Sequence, residues 1–329
     1  MKVLITGVTG RVGRNLSKLL IDNGHSVRGL VLENDKNIEL VKEIGVKCYK
    51  GNLNNPDSLI EAVLDVNAIY HLGGLMSWGN DDDNPLLFDD NLKGTFNLLN
   101  AVLSNKVNLA KFIFASSDEV YPSLLAKELP IKETHPTTPY SFYGLTKLAC
   151  EQMVLYFQRA NNIPATIARF ALVTEPEEVT HKTGWLGRFL FFEPMFNIIN
   201  SIAGPEAAKE LEKYSSEKEQ LICARDISGN PYTFHYCDVR DLTECLLLML
   251  ENTECIGNVF NISGPEPFKY DKAVPYLSKK LDIPYIDVKI DGPSINIEHS
   301  IEKARTVLGY DPKYDIFRTI DDGVKKISD

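Results

Sequence analysis

The stretch Lys2-Val-Leu-Ile-Thr-Gly-Val-Thr-Gly-Arg-Val-Gly13 decides the fold. Lys2 to Ile5 are typical of a buried parallel strand, and the pattern becomes helical from Gly10 onward. A strand that turns sharply into a helix leaves the first helical N–H groups free to bind a pyrophosphate, provided that glycines keep the approach open. We therefore predict a dinucleotide site formed by the turn and the first helical turn: Gly7, Gly10, Arg11, Val12 and Gly13.

Strand and helix patterns alternate through the first half of the chain, which predicts a parallel, doubly wound sheet of the Rossmann type in the α/β class. Ligands bind such sheets at the carboxyl ends of the strands. Gly73 and Gly74 directly follow the predicted strand Ala68 to Leu72. Because small residues let the backbone approach a ligand closely, we expect both glycines to contact the cofactor.

The second predicted strand, Ser26 to Leu32, identifies candidates for cofactor specificity. An acidic residue near the end of this strand binds the adenosine ribose in dinucleotide folds. Glu33 is the main candidate and Asp35 the second. Three basic residues are near enough in sequence to serve a 2′-phosphate instead, so NAD is favoured without excluding NADP: Arg11, Arg28 and Lys36.

Beyond Leu172 the alternation weakens, which indicates a second, smaller lobe. We predict a dinucleotide-binding domain over 1–172, to which a segment of about 236–264 returns with a further strand. The substrate-binding lobe is then mixed in structure and consists of 173–235 and 265–329.

Composition excludes several classes of function. The formal net charge of −10 argues against a nucleic-acid or acidic-membrane partner, and the acidic run at 81–83 is interpreted as a solvated loop. Six cysteines lack any Cys-x-x-Cys pair, which favours reduced thiols over a zinc site or disulfides. The first strand begins at residue 2 and no apolar run approaches membrane-spanning length, so we expect a cytoplasmic protein.

Tyr143 and Lys147 are separated by four residues on a predicted helix, so their side chains share one face. A phenol titrates near pH 10, but a nearby ammonium and a nicotinamide cation both favour the phenolate. Tyr143 can then act as a general acid or base on a substrate hydroxyl or carbonyl. Ser117, at the end of the fifth strand, is expected to hold the substrate oxygen, and Lys147 to donate to the nicotinamide ribose.

Together these motifs make the chain resemble the extended short-chain dehydrogenase/reductase family, in its NAD-dependent sugar epimerase/dehydratase branch. Further motifs carry the resemblance: Gly51-Asn52-Leu53, His71-Leu72-Gly73-Gly74, Asn91-x-x-Gly94-Thr95, Ser116-Ser117, Phe260-Asn261-Ile262-x-Gly264 and Leu308-Gly309-Tyr310. The resemblance implies NAD, hydride transfer to or from a small-molecule substrate such as a nucleotide sugar, and a homodimer paired through helices at 86–103 and 143–160. It adds cofactor contacts at Asn52, Leu53, Leu72 and Asn91.

Two departures from the family pattern bear on the substrate. Leu172 stands where sugar-nucleotide enzymes often have Asn, and the segment 232–236 lacks the usual preceding Arg. Both changes weaken the expected contacts to a nucleotide diphosphate. The alternatives are an NADP-linked carbonyl reductase of a more apolar substrate, favoured by the aromatic residues at 185–196, and a non-catalytic dinucleotide sensor.

Ser117-Asp118-Glu119 resembles the Thr-Asp-Glu of sugar-nucleotide 4,6-dehydratases. The resemblance implies elimination of water with Asp118 as the acid and Glu119 as the base, provided that the environment separates their pKa values. The alternative interpretation is that Asp118 belongs to the turn and that Glu119 faces water or a nearby lysine.

Overall fold

The computed structural model describes residues 1–77 and 85–328, and the acidic run at 81–83 lies outside them. The strands are β1 (Lys2–Thr6), β2 (Ser26–Val31), β3 (Lys47–Lys50), β4 (Ala68–His71), β5 (Lys111–Ser117), β6 (Ala165–Phe170), β7 (Leu172–Thr174), β8 (Leu221–Arg225), β9 (Thr233–Phe234), β10 (Tyr236–Asp238), β11 (Val259–Ile262), β12 (Phe268–Lys269) and β13 (Tyr285–Lys289).

The α-helices follow in the same numbering. They are α1 (Arg11–Asp22), α2 (Ile38–Ile44), α3 (Ile60–Val63), α4 (Pro85–Leu87), α5 (Gly94–Ser104), α6 (Phe142–Asn161), α7 (Phe192–Ala203), α8 (Pro205–Glu212), α9 (Val239–Glu251), α10 (Tyr270–Leu281), α11 (Glu302–Leu308) and α12 (Ile316–Ser328). A π-helical turn, Phe88–Lys93, joins α4 to α5. None of the helices in the described ranges is long and apolar enough to cross a membrane.

Within the described residues, seven strands form one parallel sheet in the order β3-β2-β1-β4-β5-β6-β11. Side chains alternate along β1: Val3 and Ile5 enter the apolar cluster with α1 and α9, and Leu4 enters the cluster with α5 and α6. Helices therefore cover both faces, which is why the central strands are rich in apolar residues. The predicted doubly wound α/β fold is confirmed.

Strand β5 extends to Ser117, because its pairing with β6 continues to that residue, opposite Phe170. Consequently Ser117 leaves the sheet as the last residue of a fully buried strand. A separate apolar cluster is built from residues between 179 and 236 and between 268 and 324. It encloses the parallel pair β8 and β13. Its residues follow β6 and β7 in the sequence.

A buried ion pair joins α6 to the sheet. Arg169 of β6 donates from Nε and Nη2 to both oxygens of Glu151 at 2.8 and 2.7 Å, and Ser116 donates to Oε1 at 2.6 Å. The side chains of Arg169 and Glu151 are only 6% and 1% exposed. Arg169 also donates from Nη1 to the Tyr121 hydroxyl at 2.7 Å, so the whole guanidinium is engaged. Such a pair is costly to break because the remaining charge stays buried.

Replacing Arg169 by Met tests this dependence. Arg169→Met leaves the Glu151 carboxylate buried without the guanidinium that pairs with it. The free energy of unfolding should therefore fall by about 3–5 kcal/mol in urea titrations. The matched control is Lys42→Met, which breaks the exposed pair with Glu39 at 2.7 Å and should leave the midpoint unchanged. Equal midpoints for both variants would show that the buried pair contributes nothing particular.

Candidate active site

The glycine-rich turn brings the end of β1 against the end of β4. Gly7 has a φ of +69°, and a Cβ there would lie 2.8 Å from the Gly73 nitrogen. A Cβ on Gly13 would lie 2.3 Å from the Gly7 carbonyl oxygen, so α1 can begin this close to the strand only with glycine. A Cβ on Gly10 would lie 3.3 Å from the Gly7 carbonyl oxygen, so a side chain there would also be crowded. The open N-terminus of α1 fits a pyrophosphate, whose approach side chains at these positions would block.

Both arginines that could serve a 2′-phosphate have protein partners. Arg11 pairs with Glu178 and lies 5.5 Å above the Trp185 ring. Arg28 lies 5.1 Å above the Tyr49 ring and donates to the Leu64 carbonyl. A 2′-phosphate would have to compete with the Glu178 carboxylate for Arg11 and with the Tyr49 ring for Arg28.

The two acidic candidates after β2 differ in position. Glu33 pairs with Lys50 at 2.8 Å, and its side chain is 73% exposed. Asp35 instead reaches the glycine-rich turn, where Oδ2 accepts from the Thr9 hydroxyl at 2.5 Å and Oδ1 accepts from the Asn37 nitrogen at 2.9 Å. The carboxylate beside the predicted pyrophosphate turn is therefore that of Asp35.

Asn52 and Leu53 shape the loop after β3. The Asn52 side chain accepts from the Asn54 nitrogen at 2.8 Å, and its backbone nitrogen donates to Ser58 Oγ at 3.0 Å. Leu53 accepts from Asn97 Nδ2 at 2.8 Å through its carbonyl and packs against Gly94, where a Cβ would lie 2.9 Å from Leu53 Cβ. Thus the loop is fastened to α5 by its own polar groups.

Asn91 joins the segment after β4 to the helix that carries Tyr143. Its Oδ1 accepts from the Leu75 nitrogen at 2.8 Å, and its Nδ2 donates to the Leu75 carbonyl and to Thr146 Oγ1, each at 2.9 Å. Leu72 and Gly73 lie against the glycine turn, and a Cβ on Gly74 would lie 2.7 Å from Asn91 Oδ1. Asn91 therefore acts on the site through the backbone after β4.

His71 is a residue of this region that the sequence motif contains but to which we assigned no role. Buried at the end of β4, it contacts Thr6 Oγ1 at 2.8 Å through Nδ1 and Thr95 Oγ1 at 2.9 Å through Nε2. Burial lowers the pKa of His71 to about 3, so the ring is neutral. Thr6 also accepts from the Gly73 nitrogen at 2.9 Å, and the network therefore joins β1, β4 and α5 directly behind the turn.

Ser117, Tyr143 and Lys147 converge at the carboxyl end of β5. Ser141 caps α6 by accepting from the Gly144 nitrogen at 2.9 Å, and a Cβ on Gly144 would lie 2.2 Å from the Glu119 carbonyl oxygen. This contact presses the first turn of α6 onto the strand end. Lys147 Nζ lies 5.9 Å from the centre of the Tyr143 ring and 4.9 Å from that of Phe114.

Burial perturbs the pKa values of Tyr143 and Lys147. Burial, reinforced by the charges of Glu119 and Asp118, raises the pKa of Tyr143, and a hydrogen bond with Ser117 opposes the rise. Burial likewise lowers the pKa of Lys147, opposed by the charges of Cys150 and Glu151. Strongly perturbed groups that face one another are typical of catalytic sites.

Asp118 and Glu119 have different surroundings. Burial and the charge of Glu119 raise the pKa of Asp118 to about 7, and its Oδ2 lies 3.5 Å from Nε2 of His299. Glu119 Oε2 accepts from the Ser141 hydroxyl at 2.7 Å, which ties the Glu119 carboxylate to the helix cap. Glu119 therefore contacts α6, whereas Asp118 contacts His299.

Glu151 was also missed, although the sequence held a signal for it. Tyr143, Lys147 and Glu151 follow one another at intervals of four, which places them on one face of α6. The third member of this row is the buried partner of Arg169. A row of three polar residues on a helix that packs against a sheet indicates a polar network beneath it.

A glycine turn at the start of a parallel sheet, together with a Ser, Tyr and Lys set at the end of its fifth strand, defines a dinucleotide-dependent enzyme of the short-chain dehydrogenase/reductase type. The model of the NAD dependent epimerase/dehydratase family matches residues 3–191, more than half of the chain. This chain belongs to that family. Membership confirms the predicted NAD-dependent enzyme class and NAD as the cofactor.

Curated relatives agree with this assignment. The chain is 25% identical to the UDP-glucose 4-epimerase of Halalkalibacterium halodurans over 97% of this chain and 93% of that protein. It is 32% identical to the D-erythronate dehydrogenase of Haemophilus influenzae over 53% of this chain, and the match spans only 55% of that relative.

Among solved structures, the chain is similar to a short-chain dehydrogenase/reductase superfamily protein from Agrobacterium tumefaciens with bound NAD. The two are 30% identical, with a TM-score of 0.88, over 100% of this chain and 97% of that one.

Proposed function

We propose that this protein transfers a hydride between NAD and a hydroxyl-bearing carbon of a sugar-type substrate, with Tyr143 as the general acid/base. The observation that carries the proposal is the convergence of Ser117, Tyr143 and Lys147 beside the glycine-rich turn. A dinucleotide sensor needs the turn but not this set, so the non-catalytic alternative leaves the three side chains without a role.

Each side chain has a distinct part in the reaction. NAD supplies the hydride acceptor or donor. Ser117 holds the substrate oxygen at the end of β5, and Tyr143 takes the hydroxyl proton in oxidation or returns it in reduction. Lys147 donates to the nicotinamide ribose and favours the Tyr143 phenolate by its charge. The N-terminus of α1 binds the pyrophosphate through the backbone between Gly10 and Gly13.

The substrate class follows from the relatives and from the second lobe. A nucleotide sugar is favoured by the epimerase that the chain matches along almost its full length. A free sugar acid is the second candidate, because Leu172 packs against the apolar cluster of the second lobe and cannot supply a polar contact. An apolar carbonyl substrate is disfavoured, since Phe189, Phe191 and Phe192 are buried in that cluster.

The expected homodimer remains a prediction, and the surface of α5 and α6 supports it. Phe96, Leu145 and Tyr156 are 46%, 49% and 57% exposed on these two helices. Large exposed apolar side chains grouped on neighbouring helices are typical of a protein interface. The cytoplasmic location is likewise an expectation from composition.

Tyr143→Phe tests the acid/base role. The variant should bind NAD as the native chain does, while turnover falls by about 10²–10⁴-fold because no group takes the hydroxyl proton. NADH absorbance and product analysis with UDP-glucose, UDP-glucuronate and D-erythronate measure the effect. Tyr140→Phe is the matched control, since Tyr140 is 72% exposed just before the helix. Undiminished turnover in Tyr143→Phe would assign the chemistry to another residue.

Asp35→Asn tests the adenosine side of the cofactor site. If the Asp35 carboxylate binds the ribose hydroxyls, its loss should weaken NAD binding by about 10–100-fold, as expected for hydrogen bonds to a charged group. Isothermal titration with NAD and NADP measures both affinities. The control Glu33→Gln should bind NAD almost normally, because Glu33 faces Lys50. If Glu33→Gln weakened NAD binding more than Asp35→Asn did, the ribose ligand would be Glu33.

Glu119→Gln separates hydride transfer from elimination of water. If Glu119 serves only the α6 cap, the amide can keep a hydrogen bond to Ser141, and the rate should change less than about tenfold. A dehydratase that uses Glu119 as its base should lose its dehydration product by about 10²-fold or more. Mass spectrometry of the product from UDP-glucose detects the loss of water directly.

A further inference from the structure

His299, from the second lobe, reaches the catalytic strand end. It lies between β13 and α11, where its neighbours are fastened to Ile131: the Ile131 nitrogen donates to the Glu298 carbonyl and the Ser300 nitrogen to the Ile131 carbonyl, each at 2.8 Å. The His299 side chain is 3% exposed, and its Nε2 lies 3.5 Å from Asp118 Oδ2. No role for this residue follows from the motifs.

His235 fixes the backbone of His299. The His299 nitrogen donates to His235 Nδ1 at 3.1 Å, so Nδ1 of His235 carries no proton. The proton of the neutral His235 ring is then on Nε2, which faces the Gly264 carbonyl at 3.0 Å. The two rings stack with centres 5.9 Å apart. The His235 ring therefore holds His299 in place. Burial lowers the pKa of His235 to about 4, so this ring stays neutral.

The tautomer of His299 follows from its unpartnered atom. Nδ1 of His299 is buried and has no hydrogen-bond partner among the described residues. A buried N–H without an acceptor costs more than an unused lone pair on a ring nitrogen. The favoured form is thus a neutral ring with its proton on Nε2, the atom 3.5 Å from Asp118 Oδ2, and burial lowers the pKa of His299 to about 3 in agreement.

Asp118 connects His299 to the catalytic set. Its Oδ1 accepts from the Ser117 hydroxyl at 3.3 Å, and Ser117 in turn interacts with the Tyr143 hydroxyl. The contacts of 3.3 and 3.5 Å are long, as catalytic hydrogen bonds often are before a substrate binds. The Asp118 side chain is 24% exposed, so a proton that reaches it can pass to solvent.

We propose that Asp118 receives the substrate proton from Tyr143 through Ser117, and that His299 is the positioning residue that keeps Asp118 ionised by donating from Nε2. The inference rests on the proposed acid/base role of Tyr143. It adds to that function a defined acceptor for the proton that each oxidation releases.

The step balances as follows. When the substrate alcohol is oxidised, its carbon loses a hydride, with both electrons, to the cofactor, and its hydroxyl proton goes to the Tyr143 phenolate as the C=O bond forms. Tyr143 then gives that proton to Ser117, which gives its own to Asp118 Oδ1, forming a neutral carboxyl group. Oδ2 continues to accept from His299. In reduction the same proton transfers run in reverse. An epimerisation uses them first in one direction and then in the other.

Several titratable groups face this route. Glu119 and burial raise the pKa of Asp118 to about 7, and Ser117 opposes the rise. Tyr143 lies on the other side of Ser117, while His235 and Tyr121 face the His299 ring at 5.9 and 6.5 Å. Loss of a donor to the Asp118 carboxylate disfavours its charged form, so the pKa of Asp118 must rise when His299 can no longer donate.

The experiment is a ¹³C NMR titration of the Asp118 carboxyl carbon in the full-length protein with NAD, assigned by the loss of its signal in Asp118→Asn. His299→Leu should raise the midpoint of Asp118 by about 1 pH unit or more, as expected for a lost hydrogen bond to a charged group. His299→Gln, whose amide can donate, should restore most of the native midpoint. His25→Leu, at a half-buried histidine near the start of β2, is the control.

Ser117→Ala tests the other end of the route in the same titration. Because Asp118 loses the hydroxyl donor at Oδ1, its midpoint should also rise. An unchanged midpoint in Ser117→Ala would break the connection to Tyr143, and equal midpoints in native protein, His299→Leu and His299→Gln would overturn the role of His299. Either result is independent of turnover, so it is distinguishable from undiminished activity in Tyr143→Phe, which would overturn the proposed function instead.

Discussion

The buried Glu151 carboxylate is the constraint on which the rest of the site depends. It accepts hydrogen bonds from Nε and Nη2 of Arg169 and from Ser116, the residue before Ser117. Glu151 shares one face of α6 with Tyr143 and Lys147, so the rotation of the helix about its axis is fixed where the charge is bound. A residue buried against the sheet thereby fixes the direction of Tyr143 and Lys147. Hydrophobic residues in place of both Arg169 and Glu151 could give the protein the same stability. They would not fix the rotation of α6 about its axis.

The remaining contacts of the site hold backbone close to backbone. Gly7 lets the end of β1 meet Gly73, Gly144 lets α6 meet the Glu119 carbonyl, and Asn91 ties Leu75 to Thr146. His71 completes this arrangement with a neutral ring that needs no counter-charge. These contacts are made by main chain, glycine and uncharged side chains.

Features that repeat locally were predictable from the sequence. The apolar strand, the glycine spacing and the Tyr143 to Lys147 interval each depend on residues close in sequence, and they sufficed to predict a parallel, doubly wound sheet. The positions of the Glu33 and Asp35 carboxylates were not predictable, since they depend on contacts made in space. Asp35 contacts Thr9 of the glycine-rich turn, whereas Glu33 contacts Lys50. His299 was missed for the same reason: its neighbour Asp118 is far away in the sequence and close only in space.

The charges around Tyr143 make its basicity depend on cofactor binding. Asp118 and Glu119 raise the pKa of Tyr143, and burial raises it further, which opposes the ionisation that a base requires. The Lys147 ammonium is the neighbouring cation on the same face of α6, but burial disfavours its own charge. Tyr143 therefore becomes a phenolate most readily beside a further positive charge, such as an oxidised nicotinamide. With the reduced, uncharged ring the same surroundings favour the phenol, which fits the proposed role of Tyr143 as a base in oxidation and an acid in reduction.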